Sequence, residues 1–456
     1  MSPLHRCANL FALVVFTISG CSPLPPQTSH GPAVAPHGYQ VLYRFRGSDG
    51  SYPGAALTSF NGVLYGTTIF GGEPKCYIGC GTVFSFANGK AAVLYRFPAG
   101  SGGAYPQAGL AVLNGTLYGT TTYTNDTCPM KGGFSLLKLS KCGTFFSITP
   151  NGAQKVLYAF NSSKGSIGSS PEDLLLVGNT FYGTTLLGGV GGCGAFSSSG
   201  QTPISYGCGV AFSFSSTGAF HALHVFQSTS TRDGAQPSGP LVQLNGTFYG
   251  ATTAGGTGKN CSTYYSSIAY GTGSCGTIFS LSPSGQERVI YSFKGAYSKG
   301  ATDGAWPNGG LVAVNGNLYG TTVMGGVPNC GGGGGCGTVF EISPSGSEKI
   351  IYRFQGGNDG SNPQSGLAYA NGQFYGTTYN GGSNPKCQAG CGTVFTVSPT
   401  GQESVVYRFA GGDDGSYPLA GLTIVGNTLY GTTAGGGSKT LCKTNSGCGT
   451  IWSIAL

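Results

Sequence analysis

Cysteine is the residue type best placed to do chemistry in this 456-residue chain, which holds sixteen of them. Cys7 and Cys21 stand near the N-terminus, and the other fourteen recur as pairs. The pairs are Cys76 with Cys80, Cys128 with Cys142, Cys193 with Cys208, Cys261 with Cys275, Cys330 with Cys336, Cys387 with Cys391, and Cys442 with Cys448. The second member always stands directly before a Gly that opens an apolar run. Two chemistries compete for such pairs. Zinc needs four ligands at one point, and Cys-x3-Cys at 76–80 and 387–391 looks superficially like half of such a site. The pairs are instead spread singly along the chain, with only His221 and His224 inside the repeats. Local disulfides are therefore expected, as in an exported protein. Each closes a loop of roughly 5–16 residues and contributes about 2–3 kcal/mol on the chain-entropy model.

Carboxylates offer less. Asp49, Asp233, Asp303, Asp359 and Asp414 recur in "GSDGSYP", "RDGAQP", "TDGAWP", "NDGSNP" and "DDGSYP". Calcium takes six or more oxygens, and these loops mostly supply a single carboxylate each, so Asx-type turns are expected. No paired carboxylates, Ser/His/Asp set or Gly-x-Ser-x-Gly is visible. His221 and His224 fall where other units carry Tyr, which suggests packing. No catalytic residue, metal ligand or cofactor is expected. A hydrolase or lyase whose residues converge only in space stays open.

The elements that position these residues are repeats. LYGTT stands at 64–68, 117–121, 318–322 and 429–433, FYGTT at 181–185 and 374–378, and FYGAT at 248–252. The interval of roughly 55–70 residues signals tandem supersecondary units. Each unit reads as four short strands. In the fifth unit "GLVAV" and "NLYGTT" flank Asn315-Gly316, a dipeptide suited to a type I′ hairpin. Third and fourth strands, such as "GTIFSLS" and "RVIYSF" around Pro283-Ser284-Gly285, follow. The domain opens at 39–45 with "YQVLYRF", a fourth strand with no unit before it. It ends at 448–456 with "CGTIWSIAL", a third strand with no fourth after it. An all-β fold is predicted over 39–456: a seven-bladed β-propeller of four-stranded antiparallel blades, with the N-terminal strand completing the last.

The repeat is similar to kelch propellers in its strand, Asn-Gly turn, Tyr-containing strand and Gly pair, such as Gly325-Gly326. It lacks the kelch fourth-strand Trp, since only Trp306 and Trp452 exist. The chain more closely resembles the bacterial Gloeo/Verruco tandem-repeat proteins, through "LYGTT…GG…GTVF…VLYSF" units over 39–456. That resemblance implies fold and surface attachment. It carries no active site.

Residues 1–20 read as a signal peptide, with Arg6 and an apolar stretch from Leu10 too short to span a bilayer. Ile18-Ser19-Gly20-Cys21 resembles the lipobox of bacterial lipoproteins, which implies that Cys21 is the lipidated first residue of the mature protein. The alternative is ordinary secretory cleavage near Gly20. Ser22 does not oppose outer-membrane sorting, so the outer membrane or cell surface is the expected location. Residues 21–38 are a Pro-rich tether. The net charge of +8, from 22 basic and 14 acidic residues, has no basic run, which speaks against nucleic acid.

Units two to four carry the long stapled loops, which should be neighbours on the face of the crossovers. Phe134, Tyr206, Tyr264, Tyr265 and Tyr270 in them are the candidate ligand-binding residues, mixed with Ser and Gly as in antibody loops. Unselected loop drift is the competing account. The expected partners are the membrane, through the lipid, and a glycan, peptide or protein ligand bound by a monomer. An envelope enzyme on polysaccharide or a structural component are the alternatives.

Overall fold

The Asn-Gly dipeptides do what their sequence predicts. Asn61 and Gly62 have φ of 49° and 75°, and the same pair of left-handed residues recurs at Asn114-Gly115, Asn245-Gly246, Asn315-Gly316 and Asn371-Gly372. Each joins the first and second strands of a blade. The computed structural model describes residues 38–456 apart from 74–75, 77, 99, 125–141, 161–167, 190–192, 196–203, 206, 228–232, 259–274, 296–302, 329, 331–333, 438–441 and 443–446. Seven four-stranded antiparallel sheets make the ring. Blade 1 is Thr58–Phe60, Val63–Thr68, Thr82–Ala87 and Lys90–Arg96, in that order across the sheet. Blades 2 to 6 repeat it. In blade 7 the order is Thr423–Val425, Thr428–Thr433, Thr450–Ala455 and then Gln40–Arg44, with Val41 opposite Trp452. The expected closure by the N-terminal strand is found.

First strands face the axis and pack directly on one another. Thr423 Oγ1 donates to Leu57 O, and Thr58 Oγ1 to Leu110 O, both at 2.6 Å between neighbouring blades. A Cβ on Gly239 of blade 4 would lie 2.7 Å from Gly310 N of blade 5. Only small residues let backbones meet this closely.

The repeated phrase is a packing instruction. In blade 1 Leu64 is buried, and a Cβ on Gly66 would sit 2.6 Å from Phe84 Cζ. Glycine thus lets the ring of the third strand lie flat across the second. Thr67 Oγ1 donates to Ala108 O of blade 2 at 3.0 Å. Thr68 Oγ1 accepts from Thr82 N–H, donates to Phe70 O, and hydrogen-bonds Thr82 Oγ1 at 2.8 Å. The last pairing recurs as Thr121–Thr144, Thr252–Thr277, Thr322–Thr338, Thr378–Thr393 and Thr433–Thr450. Gly50 of the Asp-Gly crossover lies over the same hydroxyls, its absent Cβ 2.5 Å from Thr68 Oγ1.

Aromatic side chains lock blade to blade. The Phe ending each fourth-strand motif meets the third-strand ring of the next blade edge to face. The pairs are Phe45–Phe84, Phe97–Phe146, Phe160–Phe212, Phe226–Phe279, Phe293–Phe340, Phe354–Phe395 and Phe409–Trp452, with centroids 4.9–5.7 Å apart. Such pairs contribute about 0.5–1.5 kcal/mol each beyond burial. One stands at every junction of the ring.

Five disulfides have both cysteines among the described residues: Cys76–Cys80, Cys193–Cys208, Cys330–Cys336, Cys387–Cys391 and Cys442–Cys448, with Cα atoms 5.1–5.5 Å apart. All match the expected local pairing. Cys142 and Cys275 are also disulfide-bonded, while Cys128 and Cys261 lie outside the described residues. Among the described residues no helix is long and apolar enough to cross a membrane.

Candidate functional site

Each crossover enters its blade through a residue followed by proline, and in all seven that residue is left-handed. Tyr52, Tyr105, Ser170, Gln236, Trp306, Asn362 and Tyr417 have φ between 55° and 62°. Proline pushes its predecessor towards extended backbone, and a non-Gly residue in this region costs about 1–3 kcal/mol. The hydrogen bonds that hold it there come from the staples. The seven N–H groups donate to the carbonyls of Cys448, Cys80, Cys142, Cys208, Cys275, Cys336 and Cys391 in turn, at 2.7–3.2 Å. Every disulfide-bonded second cysteine therefore anchors one member of a sevenfold collar on the crossover face.

Aromatic side chains in and beside this collar converge. The Tyr52 and Tyr379 hydroxyls hydrogen-bond each other, and Tyr379 stacks on Tyr417 with centroids 5.0 Å apart. Tyr52 enters blade 1 and Tyr379 leaves the second strand of blade 6, so this bond crosses the inner end of blade 7. Around the ring, Phe70 meets Tyr105 at 5.7 Å and Tyr105 meets Tyr123 at 5.2 Å. Amides adjoin them: Asn380 Nδ2 donates to Asn362 Oδ1, and Asn362 Nδ2 to Val323 O. Burial pushes the Tyr379 phenol up to about 12 and raises that of Tyr52 well above its ordinary range. Both remain neutral hydroxyls.

Two carboxyls lie just inward of the collar. Glu172 and Asp173 follow Pro171 on the first strand of blade 3, Gly168–Val177, where no other blade carries an acidic residue. Asp173 Oδ1 accepts Gly109 N–H from blade 2 at 2.5 Å. Desolvation, then the neighbouring Asp173 charge, push Glu172 up to about 8. Desolvation also raises Asp173 against the lowering effect of its Gly109 bond.

Further out, the recurrent aspartates tie the crossovers down. Each carboxylate accepts an upstream backbone N–H, from Arg46, Gln227, Lys294, Gln355 or Ala410. Asp49, Asp303, Asp359 and Asp414 also accept the hydroxyl of fourth-strand Tyr43, Tyr291, Tyr352 and Tyr407. At three consecutive junctions a glutamate from the next blade joins: Glu287 beside Asp233, Glu348 beside Asp303, and Glu403 beside Asp359. Desolvation, then the aspartate charge, raise all three, Glu287 to about 7 and Glu403 to about 8. His224 replaces the tyrosine at the first of these junctions, its Nε2 3.2 Å from Asp233 Oδ2.

Residues 33–197 match the Gloeobacter/Verrucomicrobia repeat. That stretch holds blades 1 and 2 and the first half of blade 3. No curated protein matches the chain. Similar solved structures include a putative gluconolactonase, at 12% identity and TM-score 0.36 over 70% of this chain and 83% of that one. The phage phi92 endosialidase is similar at 11% identity and TM-score 0.45, over 92% of this chain and 69% of its own. A luciferin-regenerating enzyme is similar at 11% identity and TM-score 0.39, over 76% and 91%. At these scores the likenesses carry no argument about activity.

Within the repeat, the residues singled out from sequence divide sharply. Phe134, Tyr206, Tyr264, Tyr265 and Tyr270 lie outside the described residues, as does Cys21. The aspartates expected in Asx-type turns instead reach back across their loops to an upstream N–H and to a fourth-strand tyrosine, or to His224 in the case of Asp233. Asp233 also takes the N–H of its own successor, Gly234. Carboxylates that seemed unpaired in sequence are paired across blades, because strands some fifty residues apart become neighbours. His224 does not merely pack but bonds Asp233. The collar was missed altogether; its sequence signal was a Tyr, Trp, Asn, Gln or Ser before each crossover proline.

Proposed function

We propose that the chain is an exported binding propeller, lipid-anchored at Cys21, which takes a glycan at the centre of its crossover face. The observation that carries this is the convergence of Tyr52, Tyr379 and Tyr417 across the inner end of blade 7. Tyrosine faces stack on the apolar faces of sugar rings, while their hydroxyls and the amides of Asn362 and Asn380 suit sugar hydroxyls. Neutral phenols and amides favour a polyhydroxyl ligand over a strongly charged one. Strained backbone held by staples keeps the collar ordered before the ligand arrives, which lowers the ordering cost of binding. The five disulfides among the described residues agree with export to an oxidising compartment. The test is a glycan screen followed by titration of Tyr379→Ala and Tyr417→Ala. The expected loss is tenfold or more in affinity with the melting temperature little changed; unaltered affinity would remove this site.

A second reading rests on Glu172 and Asp173. A carboxyl held protonated near neutrality beside another carboxylate is the equipment of a general acid in polysaccharide cleavage. If the bound glycan is turned over, Glu172→Gln should abolish turnover while retaining binding. Turnover that survives Glu172→Gln excludes this role.

A further inference from the structure

His224 is the exception in a repeated junction. Six fourth strands carry tyrosine at this place: Tyr43, Tyr95, Tyr158, Tyr291, Tyr352 and Tyr407. At the blade 4–5 junction Tyr291 donates towards Asp303 Oδ2 at 2.6 Å and Glu348 Oε2 at 3.2 Å, so its hydroxyl lies between the two carboxyls. Lys294 and Arg353 stand close enough to temper the negative charge there, as Arg408 does for Glu403 at the next junction. The blade 3–4 junction has neither device. Its two carboxyls, Asp233 and Glu287, face an imidazole, and among the described residues no Lys or Arg acts on Glu287. Glu287 Oε1 is enclosed and has no hydrogen-bond partner, as is true of Glu348 Oε1 and Glu403 Oε1 at the next two junctions.

We propose that His224, Asp233 and Glu287 form a divalent-metal site clipping blade 3 to blade 4. One ligand atom from each lies within 4.8 Å of the others, and His224 Nε2 and Asp233 Oδ2 are already 3.2 Å apart. Zinc bonds of about 2.0–2.2 Å put neighbouring ligands roughly 3.4 Å apart, so a small rotation of Glu287 completes the set. One imidazole and two carboxylates suit zinc or a similar borderline first-row cation. The dication neutralises two carboxylates and takes the Nε2 lone pair of neutral imidazole, whose single proton then sits on Nδ1. Asp233 is oriented from behind by Gln227 N–H on Oδ2 at 3.0 Å and Gly234 N–H on Oδ1 at 2.7 Å. Side-chain exposures of 20% for His224 and 11% for Asp233 leave room for a water as fourth ligand.

The experiment is calorimetric titration of zinc, and of cobalt with its visible absorption, into the mature chain purified without a histidine tag. His224→Tyr installs the residue the other blades use, and Glu287→Gln preserves shape. Wild type should bind one equivalent and melt at higher temperature with metal. Both variants should bind at least tenfold more weakly, lose the tetrahedral cobalt spectrum, and melt at a temperature metal does not move. Zinc bound equally by wild type and His224→Tyr would assign the ion elsewhere, for example to His30 and His37, and overturn the proposal. No binding by wild type would overturn it too.

Discussion

Gly66 can be nothing larger, because the Phe84 ring occupies the space its Cβ would take. Gly66→Ala should force that ring off Phe45 and cost about 1–3 kcal/mol, read as a lower melting temperature. A wild-type melting temperature would contradict the packing described. The raised glutamates make a second prediction at this scale. Glu172 and Glu403 near 8 and Glu287 near 7 all stand above their unfolded value of 4.5, so the native state binds more protons across that window. Stability should therefore fall as pH rises from about 4.5 to about 8. The melting temperature should be higher at pH 5.5 than at pH 8.5, and Glu403→Gln should shrink the difference. A melting temperature that rises with pH would refute it. None of these pairs was legible in sequence. Asp359 and Glu403 are far apart in the chain, and only closure of neighbouring blades joins them.

Strands and turns, by contrast, were largely written in local chemistry. Asn-Gly marks a two-residue hairpin because both positions need positive φ, and the unmatched strands at 39–45 and 448–456 foretold their pairing. Deleting residues 39–46 should uncover Thr450–Ala455 and the buried Trp452, lowering the melting temperature by many degrees; an unchanged value would remove that strand from the ring. The staples were equally legible as pairs, but their second duty was not. Their carbonyls hold left-handed residues, a backbone matter that side-chain spacing cannot announce. Cys387→Ser with Cys391→Ser should cost about 2–3 kcal/mol from the lost loop closure. It should also loosen Tyr417, whose N–H rests on Cys391 O at 2.8 Å. Faster amide exchange at Tyr417 is the check, and unaltered exchange would separate staple from collar.

At the scale of the molecule, sevenfold repetition builds one rigid ring, and function must come from where the copies differ. Collar residues are aromatic at blades 5, 7, 1 and 2, as Trp306, Tyr417, Tyr52 and Tyr105, whereas Ser170, Gln236 and Asn362 take the same place at blades 3, 4 and 6. The side of the mouth nearest blade 3 is acidic instead, through Glu172 and Asp173. Attachment belongs to this scale as well. Cys21→Ala should release the protein from membranes, and full retention of that variant would refute a lipid anchor. The binding face is tested most directly by hydrogen–deuterium exchange with and without a glycan ligand. Peptides covering 50–53, 378–382 and 415–418 should gain protection on binding, with those over the Asn-Gly turns unchanged. Protection confined to the Asn-Gly face, or to the long loops at 129–141 and 262–274, would contradict a site at the centre of the collar.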